Sequence, residues 1–123
     1  GSKHMNILVV DDSAAMRNMI IRTLRQAGFD GNEVTQAEDG AVALAAVKQS
    51  LPDLVLADWN MPNMTGIELL EAMNAEGLKT KFGFITTEAT ADMRAKATAG
   101  GAKFLISKPF SVESFQKVLS AIM

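Results

Sequence analysis

Residues 54–58 read Leu54-Val55-Leu56-Ala57-Asp58, four uninterrupted apolar residues closed by a carboxylate. A run this short and this apolar suits a strand covered on both faces, as in a parallel sheet. Upstream, Leu44 and Val47 mark a helix after Gly40. Downstream, Ile67, Leu70 and Met73 mark another that ends near Gly77. The same alternation runs through the chain. Ile7-Leu8-Val9-Val10, Phe82-Gly83-Phe84-Ile85 and Phe104-Leu105-Ile106 are strands of the same kind, whereas Glu33-Val34-Thr35-Gln36-Ala37 alternates and predicts a half-exposed edge strand.

Three further helices complete the pattern. Met16, Met19, Ile20, Leu24 and Ala27 share one face of a helix opened by Ser13 and closed at Gly28. The C-terminal helix carries Phe115, Val118, Leu119 and Ile122 on one face, with Ser111 as its cap. The stretch from Ala91 to Gly100 differs, being mostly Ala, Thr, Lys and Arg with one Met93. Its alanines serve either plain helix propensity or a helix held weakly enough to move. Five strands alternating with five helices predict an α/β fold, a doubly wound five-stranded parallel sheet with right-handed crossovers.

Composition narrows the chemistry. The 123 residues include no cysteine and one histidine, His4. Gly1, Ser2, Lys3 and His4 read as an expression-tag remnant before Met5, which leaves one domain over residues 5–123. Serine–histidine catalysis, cysteine nucleophiles, zinc fingers and disulfides are excluded by count. Without Lys3 there are 11 basic against 14 acidic residues, a net charge of −3, and no basic run. That balance offers no footprint for nucleic acid or an anionic membrane. No apolar run approaches the ~20 residues of a membrane-spanning helix, and no secretory signal precedes the first strand. The expectation is a cytoplasmic domain whose 48% hydrophobic content supplies its core.

Ligands in such sheets bind at the carboxyl ends of the strands. The first strand runs into Asp11 and Asp12, the third into Asp58, the fourth into Thr86, and the fifth into Ser107-Lys108-Pro109. Each has a duller explanation alone. Asp11 and Asp12 could cap the first helix, Asp58 could sit in a turn, threonine is a good strand former, and a lone lysine is usually a solvated charge. What carries weight is that all five share one sheet edge.

Three crowded carboxylates repel unless a cation offsets them. Without His or Cys, an all-oxygen site open to water suits Mg²⁺, or Mn²⁺ in its place. A divalent cation with the Lys108 ammonium and the Thr86 hydroxyl makes a clamp for three phosphoryl oxygens. One carboxylate would then be the nucleophile. Asp58, on the central side of the sheet, is the best placed, with Asp11 and Asp12 as metal ligands. Pro62 and Gly66 predict a constrained turn beside it.

These residues resemble those of the response-regulator receiver domain. The likeness covers Met5 to Met123 and rests on Val9-Val10-Asp11-Asp12-Ser13, Ala37-Glu38-Asp39-Gly40, Asp58-Trp59-Asn60-Met61-Pro62-Asn63-Met64, Gly66, Thr86-Thr87-Glu88 and Lys108-Pro109-Phe110. The stretch from Asp58 to Met64 is most similar to chemotaxis response regulators. The resemblance implies a flavodoxin-like sheet of order 2-1-3-4-5 and a two-component signalling role without turnover of a separate substrate. Asp58 would accept a phosphoryl group from the phosphohistidine of a sensor histidine kinase. Asp12 and Asp58 would ligate Mg²⁺ directly, Asp11 through water and Asn60 by its backbone carbonyl. Thr86 and Lys108 would contact the phosphoryl oxygens, with the Lys108–Pro109 bond cis. Asn60 and Glu88 would tune dephosphorylation, and Thr87 belongs to the same switching segment.

One departure bears on output. The family often has Tyr or Phe three residues before the lysine, where this chain has Leu105, with Phe104 on the opposite face of the strand. Leucine can still move between buried and exposed rotamers, but with less area. This puts the coupling to the output surface in question, including binding to a flagellar motor switch component. Thr65, where the family often has aspartate, reads as neutral. The output surface is expected on helix 4, strand 5 and helix 5, including Lys96 and Lys103. The implied partners are the kinase, an output protein and a phosphatase, and the chain is expected to be a monomer.

Three alternatives compete. A receiver cut from a regulator with an effector domain would share every residue above; the likeness to chemotaxis regulators and the start at Met5 favour a single-domain regulator. An aspartate-based phosphatase would carry a D-x-D motif on its first strand, where this chain has Asp11-Asp12-Ser13. A flavin or nucleotide binder lacks its glycine-rich loop here.

Overall fold

The sheet of the computed structural model, which describes residues 5–29 and 31–122, is built from five parallel strands. They are β1 (Asn6–Val10), β2 (Glu33–Ala37), β3 (Leu54–Ala57), β4 (Lys81–Thr86) and β5 (Phe104–Ser107). Their order is β2-β1-β3-β4-β5. Five helices alternate with them: α1 (Ala14–Gln26), α2 (Gly40–Gln49), α3 (Gly66–Ala75), α4 (Ala91–Ala99) and α5 (Val112–Ile122). The tag reading of Gly1–His4 lies outside the described residues. No helix among those described is long and apolar enough to cross a membrane.

Alternation along the strands divides the core into two layers. Leu8, Val10, Val55, Ala57, Phe82 and Phe84 point to one face and pack with α2, α3 and Ala97 of α4. Ile7, Val9, Leu54, Leu56, Ile85 and Ile106 point to the other and pack with α1 and α5. β1, β3 and β4 are covered on both faces, as their unbroken apolar runs require. β5 corrects the expectation of a fully covered strand. It is the second edge of the sheet, and Phe104 and Leu105 stay partly exposed. Phe104 leans back over Gly83, its register partner, where an added Cβ would lie 2.1 Å from the phenyl ring.

The helix starts follow local chemistry. Ser13 Oγ accepts from Met16 N–H and caps α1, and Gly28 closes that region at φ +100°. Asp39 caps α2 through Val42 N–H. Thr65 and Glu68 form a reciprocal capping box on α3, so Thr65 has a structural role that reading it as neutral missed. Ser111 Oγ accepts from Ser114 N–H at the start of α5. On α1 the buried residues are Ile20, Thr23 and Leu24, while Met19 is exposed. Met16, Ile20, Leu24 and Ala27 keep to the expected face; Met19 alone departs from it, and Thr23 is buried with its hydroxyl donating to Met19 O at 2.8 Å. α4 buries a single side chain, Ala97.

Candidate functional site

The sheet ladder runs one residue past several strand ends, and this brings distant residues to one edge. Val10 and Ala57 are register partners, and Asp58 N–H donates to Val10 O at 2.9 Å. Asp11 N–H donates to Ala37 O, and Lys108 N–H to Thr86 O at 2.7 Å. Asp11, Asp58, Thr86 and Lys108 therefore occupy adjacent positions across four strands. The crossing β1–β3 lies where the chain's strand order reverses, the position at which open α/β sheets bind ligands.

Asp11, Asp12 and Asp58 bring one carboxylate oxygen each within 4.8 Å of the others. Lys108 Nζ bridges two of them, 3.0 Å from Asp11 Oδ2 and 3.2 Å from Asp58 Oδ2. The remaining oxygens are held by the main chain. Ser13 N–H donates to Asp11 Oδ1 at 2.9 Å and Trp59 N–H to Asp58 Oδ1 at 2.7 Å. Each of these two carboxylates is thus fixed between a backbone amide and an ammonium. Asp12 stays exposed.

The electrostatics follow from burial. Asp11 is 2% exposed and the Lys108 side chain 10%. Burial pushes the Asp58 carboxyl above the ordinary range; the Lys108 ammonium pulls it back, and the Asp11 charge adds to the rise. For Lys108, burial works against the charge. The hydrogen bond to Asp11 and the charges of Asp58 and Asp11 outweigh it, and its pKa is raised. Three carboxylates against one ammonium leave an excess of negative charge. The donor set is oxygen alone, which fits a hard divalent cation.

Thr86 lies at the end of β4, fully buried, and its hydroxyl is the one buried side-chain polar atom without a hydrogen-bond partner among the described residues. A buried orphan hydroxyl costs free energy unless something supplies a partner. Thr87 and Glu88 follow it and are exposed. Asn60 is exposed in the loop after Asp58, and Trp59 packs on Phe84 with ring centroids 4.8 Å apart. Leu105 is half-buried against the core layer of Phe84, and Phe104 belongs to the opposite layer. The Lys108–Pro109 bond is cis.

Two close approaches shape this loop. A Cβ on Gly66 would lie 2.1 Å from Asp58 O, and Gly66 N–H donates to Trp59 O at 2.8 Å. Asn63, at φ +67°, donates its amide to Asp39 Oδ2 at 2.8 Å. Sequence reasoning used Asp39 and Asn63 only as pieces of a motif. Their contact spans 24 positions, and no periodicity announces it.

A family model described as "Response regulator receiver domain" matches residues 7–120. The chain is 39% identical to the chemotaxis protein CheY-3 of Vibrio cholerae, covering 98% of this chain and 93% of that protein. It is 38% identical to the chemotaxis protein CheY of Pseudomonas aeruginosa, covering 96% and 95%. Among solved structures, V. cholerae CheY4 superposes with a TM-score of 0.86 at 34% identity, over 98% of this chain and all of that one.

Proposed function

The chain belongs to the response regulator receiver domain family, and from that premise we propose that Asp58 is its phosphoryl acceptor. CheY-like receivers work between histidine kinases and output targets in two-component signalling. On this reading the chain does so in the cytoplasm, as a monomer. The observation that supports the assignment of Asp58 is its junction with Lys108 and Asp11, 3.2 Å from an ammonium shared with a second carboxylate.

The reaction is an in-line transfer. An oxygen of Asp58 attacks the phosphorus of a phosphohistidine, the P–N bond breaks, and the imidazole leaves. Lys108 moves from bridging two carboxylates to holding a phosphoryl oxygen. Thr86 gains the partner its hydroxyl lacks. Asp11, Asp12, Asp58 and the Asn60 carbonyl would hold Mg²⁺ or Mn²⁺. That ion, when bound, offsets the charge of the carboxylates and of the incoming phosphoryl group. Asn60 and Glu88 flank the approach of water to the acyl phosphate and tune its lifetime, which a phosphatase would shorten further.

The output is a change of partner at α4, β5 and α5. Rearrangement of Thr86 and Thr87 displaces Leu105, and α4, with one buried side chain, is the element that yields. Lys96 and Lys103 are exposed on this surface, and a flagellar motor switch component is the partner class that the chemotaxis relatives suggest.

Intact mass after incubation with Mg²⁺ and acetyl phosphate tests the acceptor. The wild type gains one phosphoryl group and a chelator abolishes the gain, while Asp58→Ala gains none. An equal gain in the variant overturns the assignment. Amide exchange of the phosphorylated form tests the output, and an unchanged pattern in α4 and β5 removes that part of the reading.

A further inference from the structure

The loop that follows Asp58 contains the one non-glycine residue with positive φ among those described, Asn63 at +67°. Met64 N–H donates to Pro62 O at 2.7 Å across it. A three-residue turn closed by such a bond about a positive-φ residue has the geometry of the rarer, strained γ-turn. Asparagine tolerates this region better than most residues, but strain of this kind persists only where the surroundings hold it.

The surroundings here come from α2. Asp39 caps that helix with one oxygen, Oδ1, which accepts from Val42 N–H at 2.8 Å. Capping needs no more than that. Its second oxygen, Oδ2, accepts from the Asn63 amide at 2.8 Å. The next residue adds a second tie, Gly40 N–H to Met64 O at 3.2 Å. It also requires glycine, since a Cβ there would lie 2.6 Å from Met64 O. Asp39 is buried, and its carboxyl is held below the usual range by Val42 N–H and then by the Asn63 amide, so it accepts as an anion.

We propose that the Asp39–Asn63 bond is a latch that holds the strained turn and thereby sets the loop from Asp58 to Asn63, making both residues positioning residues for the cation at the carboxylate cluster. This rests on the reading of Asp58 and Asn60 as ligands of Mg²⁺. Neither latch residue belongs to the carboxylate cluster that would hold the ion. They act on where the loop's two ligands stand, as outer-shell partners act on metal ligands.

The test is a Mg²⁺ titration followed by the emission of Trp59, the single tryptophan, whose backbone N–H donates to Asp58 Oδ1. Asn63→Ala removes the latch and keeps the side chain small. Asp39→Ser keeps a good helix cap but is too short to reach Asn63. Each is expected to weaken Mg²⁺ binding about tenfold, the lower end of outer-shell effects. The double variant should be no weaker than either single one, because both break the same bond. Asn63→Gly, which adopts positive φ freely, removes the strain together with the latch and is expected to lose less than Asn63→Ala; Asp39→Ser carries the test should Asn63→Ala fail to fold. A residue needed only for stability would lower the urea midpoint and leave the Mg²⁺ constant unchanged. That result, or additive losses in the double variant, overturns the latch. A wild type whose tryptophan emission and urea midpoint both ignore Mg²⁺ removes the metal reading itself, and the latch with it.

Discussion

The backbone N–H of Lys108 donates to the carbonyl of Thr86 at 2.7 Å. Residue 86 ends β4 and residue 108 follows β5, so the ladder between these strands continues through the two residues read as phosphoryl contacts. A shift of one backbone is felt by the other.

Thr86→Val separates the hydroxyl from that backbone bond. The side chain keeps its shape, and a buried hydroxyl without a partner is replaced by a methyl group. Stability should rise by about 1 kcal/mol in urea denaturation. On phosphorylation, the change in amide exchange across β5 should be lost. A loss of stability would mean that the hydroxyl has a partner in solution.

Asp58→Asn should also stabilise the fold, on the order of 1 kcal/mol at neutral pH, as relief of a functional-site penalty often does. The sign follows from linkage. Burial raises the native carboxyl above its unfolded value, so the native state binds more protons between the two. The penalty is complete above the native pKa and fades as pH falls through it toward the unfolded value. Urea midpoints of wild type and variant should converge over that interval and stay apart above it.

Gly66→Ala should be severe, about 3 kcal/mol or more, because its Cβ would lie 2.1 Å from the backbone oxygen of Asp58 and 3.0 Å from the Phe84 ring. Backbone cannot yield as a flexible side chain would. Mg²⁺ binding by the folded fraction, read from Trp59, should weaken as well, since the displaced atom belongs to the proposed acceptor and metal ligand.

Thr90→Ala removes the α4 cap, where Oγ accepts from Met93 N–H at 3.1 Å. A cap is worth ~1 kcal/mol, but α4 buries only Ala97. The loss should be local, with amide exchange in α4 about five times faster and the global urea midpoint little changed. A large global shift would mean that α4 unfolds only with the rest of the domain.

Leu54–Ala57 was legible because burial on both faces leaves a continuous apolar run, and Glu33–Ala37 because its alternation marks an edge strand; both match the observed strands residue for residue. The convergence of Asp11, Asp58 and Lys108 was legible too, because parallel strands deliver their ends to one edge. Thr23 is buried because its hydroxyl bonds within the helix, which a hydrophobicity pattern does not register, and Met19, expected on the buried face, is exposed. The Thr65–Glu68 capping box is written in the sequence as a T-x-x-E pattern ahead of an apolar run. The Asn63–Asp39 bond and the Phe104 ring over Gly83 had no local sign, since each depends on how two separately formed segments meet.

The shallow anchoring of α4 also bears on how such a protein can diverge. Eight of its nine side chains contribute nothing to the buried core, so they can be exchanged without disturbing Asp58, Lys108 or Gly66. On the proposed reading of α4 as part of the output surface, recognition can be rewritten on that helix while the carboxylate cluster is inherited intact, and duplicated copies can acquire separate partners at little cost in folding.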